Sequence, residues 1–331
     1  MTTLWDTTGT EVVKALTAER RTGGAMTSGC ALTLIVVVSE RNVPEAEAAA
    51  TTAASHHPCR LLVVVRREID APIPRLDAEV LIGGRLGPGE AVVLRMYGRL
   101  ALHAESVTLP LLAPDVPVVT WWHGEPPSMI AYDPLGVFAE RRITDSTRAD
   151  DPAAALRRRA EDYAPGDTDL AWTLITPWRS ALASAADAAA SPITGAEVHG
   201  EATNPSTQLI AGWLANRLHT TVSIEPGPAG PNGISEAALL LSDGSRLALH
   251  AAGDGHAQLD RGGHGTTTVP IPNRGIGELL AEELHRLDAD GPYADALAIA
   301  TGVGSIADAP AKRVHIWRDP AVRASEELST P

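Results

Sequence analysis

Leu32-Thr-Leu-Ile-Val-Val-Val38 and Arg60-Leu-Leu-Val-Val-Val-Arg66 are the two stretches on which the fold turns. Neither alternates apolar with polar residues. A strand with one wet face alternates, so continuous apolar runs imply strands buried on both faces. Between them lies Glu45–His57, rich in alanine and therefore helical. Strand, helix and strand in so short a span make a βαβ unit, whose two strands run parallel.

Upstream, Thr8-x-x-Glu11 is a capping box that opens a helix over Glu11–Arg20, and Gly23–Gly29 reads as a loop. Downstream of the βαβ unit, strands are predicted at Asp77–Ile82 and Ala91–Gly98, joined by a turn through the glycines of 83–89. A helix is predicted over Leu100–Leu112. Val116-Pro-Val-Val-Thr-Trp-Trp122 is another buried strand, and Arg142-Ile-Thr-Asp145 a short one. Asp133-Pro134 and Asp151-Pro152 each place a capping residue before a proline at the first helical position, the second opening a helix to Tyr163. A long helix is expected from Leu170 to Ala190, broken by Ser191-Pro192.

Beyond that break the pattern changes. Asn204-Pro205 caps a helix with Leu209, Ile210, Trp213 and Leu214 on one face. Alternating strands follow at Thr221–Glu225, Glu236–Ser242, Arg246–Ala251, Ala257–Asp260 and Thr266–Ile271, joined by short Gly/Asp turns in an antiparallel meander. Ile276–Leu287 is amphipathic, and the tail after Asp319 is polar. The expectation is an α/β chain of two domains. Residues 1–190 form a three-layer unit, a mostly parallel sheet flanked by helices, with a long closing helix. Residues 191–331 form a smaller α+β domain with an antiparallel sheet.

Bulk composition narrows the function classes. Of 331 residues, 44% are hydrophobic and 21% charged, which is globular rather than disordered. The net charge of −14 opposes phosphate backbones and anionic lipid, so neither nucleic acid nor membrane is an expected partner. Met1–Ala18 has no secretory pattern, and a cytoplasmic address is expected. The two cysteines, Cys30 and Cys59, make no disulfide framework. Arginine far outnumbers lysine, present only as Lys14 and Lys312, and seven Trp stand against one Phe. Both residues favour interfaces, but a GC-rich coding bias gives the same arginine excess.

Catalytic chemistry is harder to find. The glycines of 83–89 lie between two strands, not between a strand and a helix, and Gly302-x-Gly304 follows a helix as a cap, so no dinucleotide or phosphate loop is present. His250, Asp254, His256 and His264 read as solvated turn residues rather than metal ligands, and no metal or cofactor is expected. In an open parallel sheet, ligands gather at strand carboxyl ends. Here those ends carry Ser39, Arg66, Arg67, His123, Asp145 and Ser146. Arg66, Arg67 and Ser146 suit a phosphate, and His123 titrates near neutrality, whereas the plainer reading leaves them as solvated loop residues. No nucleophile or acid–base pair stands out, and no catalytic residue is assigned.

Five segments together carry more information than any of these. They are Leu4-Trp-Asp-Thr-Thr8, His57-Pro-Cys-Arg60, Val116–Trp122, Ile143-Thr-Asp-Ser146, and Asp169-Leu-Ala-Trp172 running on to Thr176-Pro-Trp-Arg179. In this order the chain resembles the OpcA family, the glucose-6-phosphate dehydrogenase assembly proteins, in their actinobacterial form. The resemblance extends over essentially the whole chain. It implies a non-catalytic partner that supports assembly of the dehydrogenase or activates it, and so controls entry into the oxidative pentose phosphate pathway. The family's segments include Arg60, Trp121, Trp122, Asp145, Ser146, Trp172, Trp178 and Arg179, candidates for partner or ligand contact. One departure is Leu174, where the family pattern has an arginine. Thiol control, associated with cyanobacterial members, is not carried over to a chain with only Cys30 and Cys59. The alternatives are a sugar-phosphate enzyme or a metabolite sensor built on the strand ends.

Overall fold

The computed structural model describes residues 1–22, 30–83, 89–228, 230–262, 265–304 and 306. The expected Gly23–Gly29 loop, most of the 83–89 turn, His264 and the tail after Asp319 lie outside the described residues. In chain order the first half contains β1 (Thr2–Leu4), α1 (Gly9–Thr22), β2 (Leu32–Val38), α2 (Val43–His56), β3 (Cys59–Arg67), β4 (Arg75–Ile82), β5 (Glu90–Tyr97), α3 (Ala104–Thr108), β6 (Val118–His123), α4 (Pro134–Val137), β7 (Arg141–Thr144), α5 (Pro152–Glu161), β8 (Asp167–Asp169), α6 (Leu170–Leu174) and α7 (Thr176–Asp187). The second half contains β9 (Ile193–Gly200), α8 (Pro205–Leu218), β10 (Ser223–Pro226), β11 (Ile234–Leu241), β12 (Arg246–Gly253), β13 (His256–Asp260), β14 (Thr266–Pro270), α9 (Ile276–Glu283) and α10 (Gly291–Thr301).

The strands form an eight-stranded sheet, ordered β1-β4-β5-β3-β2-β6-β7-β8, and a six-stranded sheet, ordered β10-β9-β11-β12-β13-β14. In the first, β5, β3, β2, β6, β7 and β8 are parallel, and β4 turns back antiparallel on β5. Leu32 lies opposite Cys59 and Val38 opposite Val65, the predicted parallel pair. Both faces are covered. Leu34, Val36, Leu61, Val63, Val119 and Trp121 pack against the alanines of α2, while Ile35, Leu62, Val64, Leu94 and Met96 pack against Val12 and Leu16 of α1. This double burial is why the strands read as unbroken apolar runs.

Several elements differ from expectation for local reasons. The long helix over 170–190 is two helices meeting at Ile175, because Pro177 occupies the first turn of a new helix and cannot extend the old one. The helix over 100–112 is a short α-helical turn between two 3₁₀ segments, with Pro110 in the second. The second sheet is antiparallel except for its edge, where β10 runs parallel to β9.

The two halves interlock through α9. Although it follows the second sheet, its Leu279, Leu280 and Leu284 complete the core on the α2 face of the first. Close approach requires Gly277: a Cβ there would lie 2.7 Å from Thr52 Cβ and 3.0 Å from the Ala49 carbonyl.

Candidate functional site

The strand carboxyl ends are filled by internal ion pairs. Arg66 makes a forked contact with Asp133, at 3.1 Å from Oδ2, and Asp133 also caps α4 by accepting from the Leu135 amide. Arg67 donates to the Tyr97 hydroxyl at 2.7 Å and stands 3.8 Å from Glu40. His123 faces Glu45 at 3.2 Å, and Glu45 is held by Arg148 at 2.7 Å. Burial lowers the His123 pKa, the Arg148 charge acts in the same sense, and Glu45 opposes both. Arg66, Arg67, His123 and Ser146 therefore do not converge on one point. The segment entering α2, where a phosphate would meet helix amides, instead presents Glu40 and Glu45.

Most of the other motif residues are buried within the chain. Arg60, 5% exposed, binds Glu90 at 2.8 Å and the Leu111 carbonyl at 2.7 Å. Trp121, Trp122, Trp172 and Trp178 are among the largest fully buried side chains. Asp169 joins two motifs. Its carboxylate accepts from the Thr144 hydroxyl, from the amide and hydroxyl of Ser146, and from the Ala171 amide, so Ile143–Ser146 is tied to Asp169–Trp172. Asp145 beside it accepts from Thr147, and burial together with the Asp169 charge pushes its pKa up to about 6.

A groove of about 890 Å³ opens where α2, β7, α6, α7 and α9 meet. Its walls include His57, Arg141, Trp172, Arg179, Glu283 and Arg286. Arg141 binds Glu283, which also accepts from the Thr173 hydroxyl. The Trp172 indole donates to Asp290 at 2.8 Å. Arg179 lies over the Trp172 ring, 3.5 Å from its centroid, and donates to the Trp172 carbonyl and the Thr176 hydroxyl. Burial lowers the Arg179 pKa to about 10, against the pull of Asp290, Glu282 and Glu283. Trp172 and Arg179 were legible from their motifs. Arg141, Glu283 and Asp290 were not, because they come from distant elements and carry no local pattern. Leu174 packs at the α2–α9 core. No group of three metal-ligating side chains forms among the described residues, and no described helix is long and apolar enough to cross a membrane.

An eight-stranded, mostly parallel sheet flanked by helices and a six-stranded, mostly antiparallel one define a mixed α/β protein. Residues 50–161 match the family model described as the glucose-6-phosphate dehydrogenase subunit N-terminal domain, and residues 165–297 match that of its C-terminal domain. The chain belongs to the OpcA family of glucose-6-phosphate dehydrogenase assembly subunits. No curated protein matches the sequence. Among solved structures, it is similar to the NAD binding oxidoreductase from Klebsiella pneumoniae at 11% identity and a TM-score of 0.42, over 87% of this chain and 99% of that one. A likeness at that level carries no argument for fold or activity.

Proposed function

We propose that this chain is a non-catalytic factor of the actinobacterial OpcA type that binds glucose-6-phosphate dehydrogenase in the cytoplasm. It promotes the dehydrogenase's assembly or its active state, and so governs entry into the oxidative pentose phosphate pathway. The observation that carries the reading is the pair of family matches over both halves of the chain. The internal pairing of the strand-end residues supports it, since Arg66, Arg67 and His123 each face a carboxylate or hydroxyl of the chain itself. A protein that prefers one state of an enzyme shifts its population by the difference in affinity and needs no chemistry of its own. The division into units 1–190 and 191–331 belongs to this proposal, with α9 as the element that returns to the first unit. Neither nucleic acid nor membrane is a partner in it.

The deciding experiment follows dehydrogenase rate against glucose 6-phosphate concentration, with and without this chain. Co-elution and a changed KM or cooperativity are expected. A pair that neither associates nor changes the kinetic curve at micromolar concentration sinks the proposal.

A further inference from the structure

The groove between α2, α6, α7 and α9 has an uneven set of charges. Each of its three wall carboxylates is already engaged. Glu283 holds Arg141 and the Thr173 hydroxyl, Glu282 holds Arg274 and the Thr176 hydroxyl, and Asp290 accepts from the Trp172 indole and the Tyr293 amide. Arg141 is balanced by Glu283. Arg179 and Arg286 are left over: neither makes an ion pair with a carboxylate among the described residues.

The two arginines occupy different depths. Arg286 is exposed at the rim, beside the exposed His285 and His56. Arg179 is half-buried, and its position is set by the Trp172 ring beneath it and by bonds of 3.3 Å to the Trp172 carbonyl and 3.1 Å to the Thr176 hydroxyl. Its Nε is shielded from solvent and has no hydrogen-bond partner. Asp290, Glu282 and Glu283 attract it from a distance, but a guanidinium that is partly desolvated, held in place and in ion-pair contact with no described carboxylate is costly to leave so. The depression of its pKa to about 10 has the same origin. A bound anion removes that cost, and a planar guanidinium matches the oxygens of a phosphate.

We propose that this groove is a binding site for a small phosphorylated metabolite, with the phosphate recognised by Arg179 on the floor and Arg286 on the rim. The cavity, about 890 Å³, is the size of a small-molecule site. Its polar lining suits a hydroxylated, charged ligand better than an apolar one. Such a site lies away from the strand ends of the first sheet and gives the chain a means of sensing metabolite supply. It does not depend on the identity of the protein partner.

The test is calorimetry on the full chain with glucose 6-phosphate and inorganic phosphate as probes and glucose as the uncharged control. Glucose 6-phosphate is expected to bind, glucose not. Arg286→Ala changes an exposed side chain and leaves the fold intact; it should weaken binding about tenfold, the usual effect of losing a charge-assisted hydrogen bond. Arg179→Gln should abolish binding, and Arg217→Ala, on the exposed face of α8, should leave it unchanged. The proposal is overturned if neither phosphate probe binds at about 10 mM, far above a useful affinity, or if binding is indifferent to Arg286→Ala. If small anions do not bind but Arg286→Ala weakens association with the dehydrogenase, the groove receives an acidic side chain of a protein, and the metabolite proposal falls.

Discussion

The Arg179 guanidinium lies over the Trp172 ring, 3.5 Å from its centroid, while the same indole donates its N–H to Asp290 at 2.8 Å. Trp172 thus has two separable duties, as a platform and as a donor. Trp172→Phe keeps a ring for Arg179 and removes the donor. It should cost about 1–3 kcal/mol, the loss of a hydrogen bond to a charged acceptor. Trp172→Ala removes the platform as well and should cost about 3–5 kcal/mol. Urea unfolding of the two variants separates these duties; equal losses would mean that the indole N–H matters little.

Asp169 should behave as a hub. It accepts from Thr144, Ser146 and Ala171, three residues on different elements. Ser146→Ala removes one of these donors and should cost about 1 kcal/mol, whereas Asp169→Ala leaves several buried donors unpaired and should cost more than 3 kcal/mol. In a double-mutant cycle the pair should couple by about 0.5–3 kcal/mol. Additive losses would show that the two motifs are stabilised independently.

The protonation of Asp145 gives a dependence on pH. Its carboxyl takes up a proton near 3.8 in the unfolded chain and near 6 in the folded one. Between those values the folded state binds more protons, so stability falls as pH rises through the window, and the penalty is complete above about 6. Asp145→Asn cannot titrate and still offers an oxygen to Thr147. Its melting temperature relative to the native protein should therefore rise from pH 4 to pH 6 and level off beyond. Asp167, also raised to about 6 by burial, is common to both proteins and cancels in the difference. Parallel melting profiles would rule out the assignment.

Much of this arrangement was legible in the sequence where one residue alone sets the local geometry. Asp133, Asp151 and Asn204 each cap the helix that their following proline begins, and Gly302 ends α10 in the left-handed region, all as the spacing implies. The unbroken apolar runs gave the parallel strands, because double burial leaves no polar face. What escaped was short or non-local. β8 is Asp167-Thr-Asp169, a polar triplet that is a strand only because β7 offers it an edge. Glu283 sits on an ordinary amphipathic helix, and nothing nearby shows that Arg141 will reach it. Asp169 was visible as the head of a motif, but its role depends on Ser146 arriving from the turn that follows β7.

α9 is held in place by its close approach to α2 at Gly277. Gly277 has an ordinary backbone conformation, so its requirement is space: a Cβ would meet Thr52 Cβ at 2.7 Å, Thr52 Cγ2 at 3.1 Å and the Ala49 carbonyl at 3.0 Å. Gly277→Ala must push α9 off α2, at a cost of about 1–3 kcal/mol for overpacking. Gly275→Ala, two residues earlier, is the control. Its Cβ would meet nothing nearer than Glu278 Oε2 at 4.0 Å, so the change leaves α9 where it is and costs about 0.5–1 kcal/mol, alanine being the poorer N-cap. The consequence reaches the groove, because the same stretch carries Glu282, Glu283, His285 and Arg286 into its wall. Displacing α9 lengthens the Arg141–Glu283 contact and withdraws Arg286 from Arg179. Gly277→Ala should therefore weaken glucose 6-phosphate binding as well as lower stability, while Gly275→Ala leaves binding unchanged. A Gly277→Ala protein of native stability would show that the α2–α9 contact is softer than the structure implies.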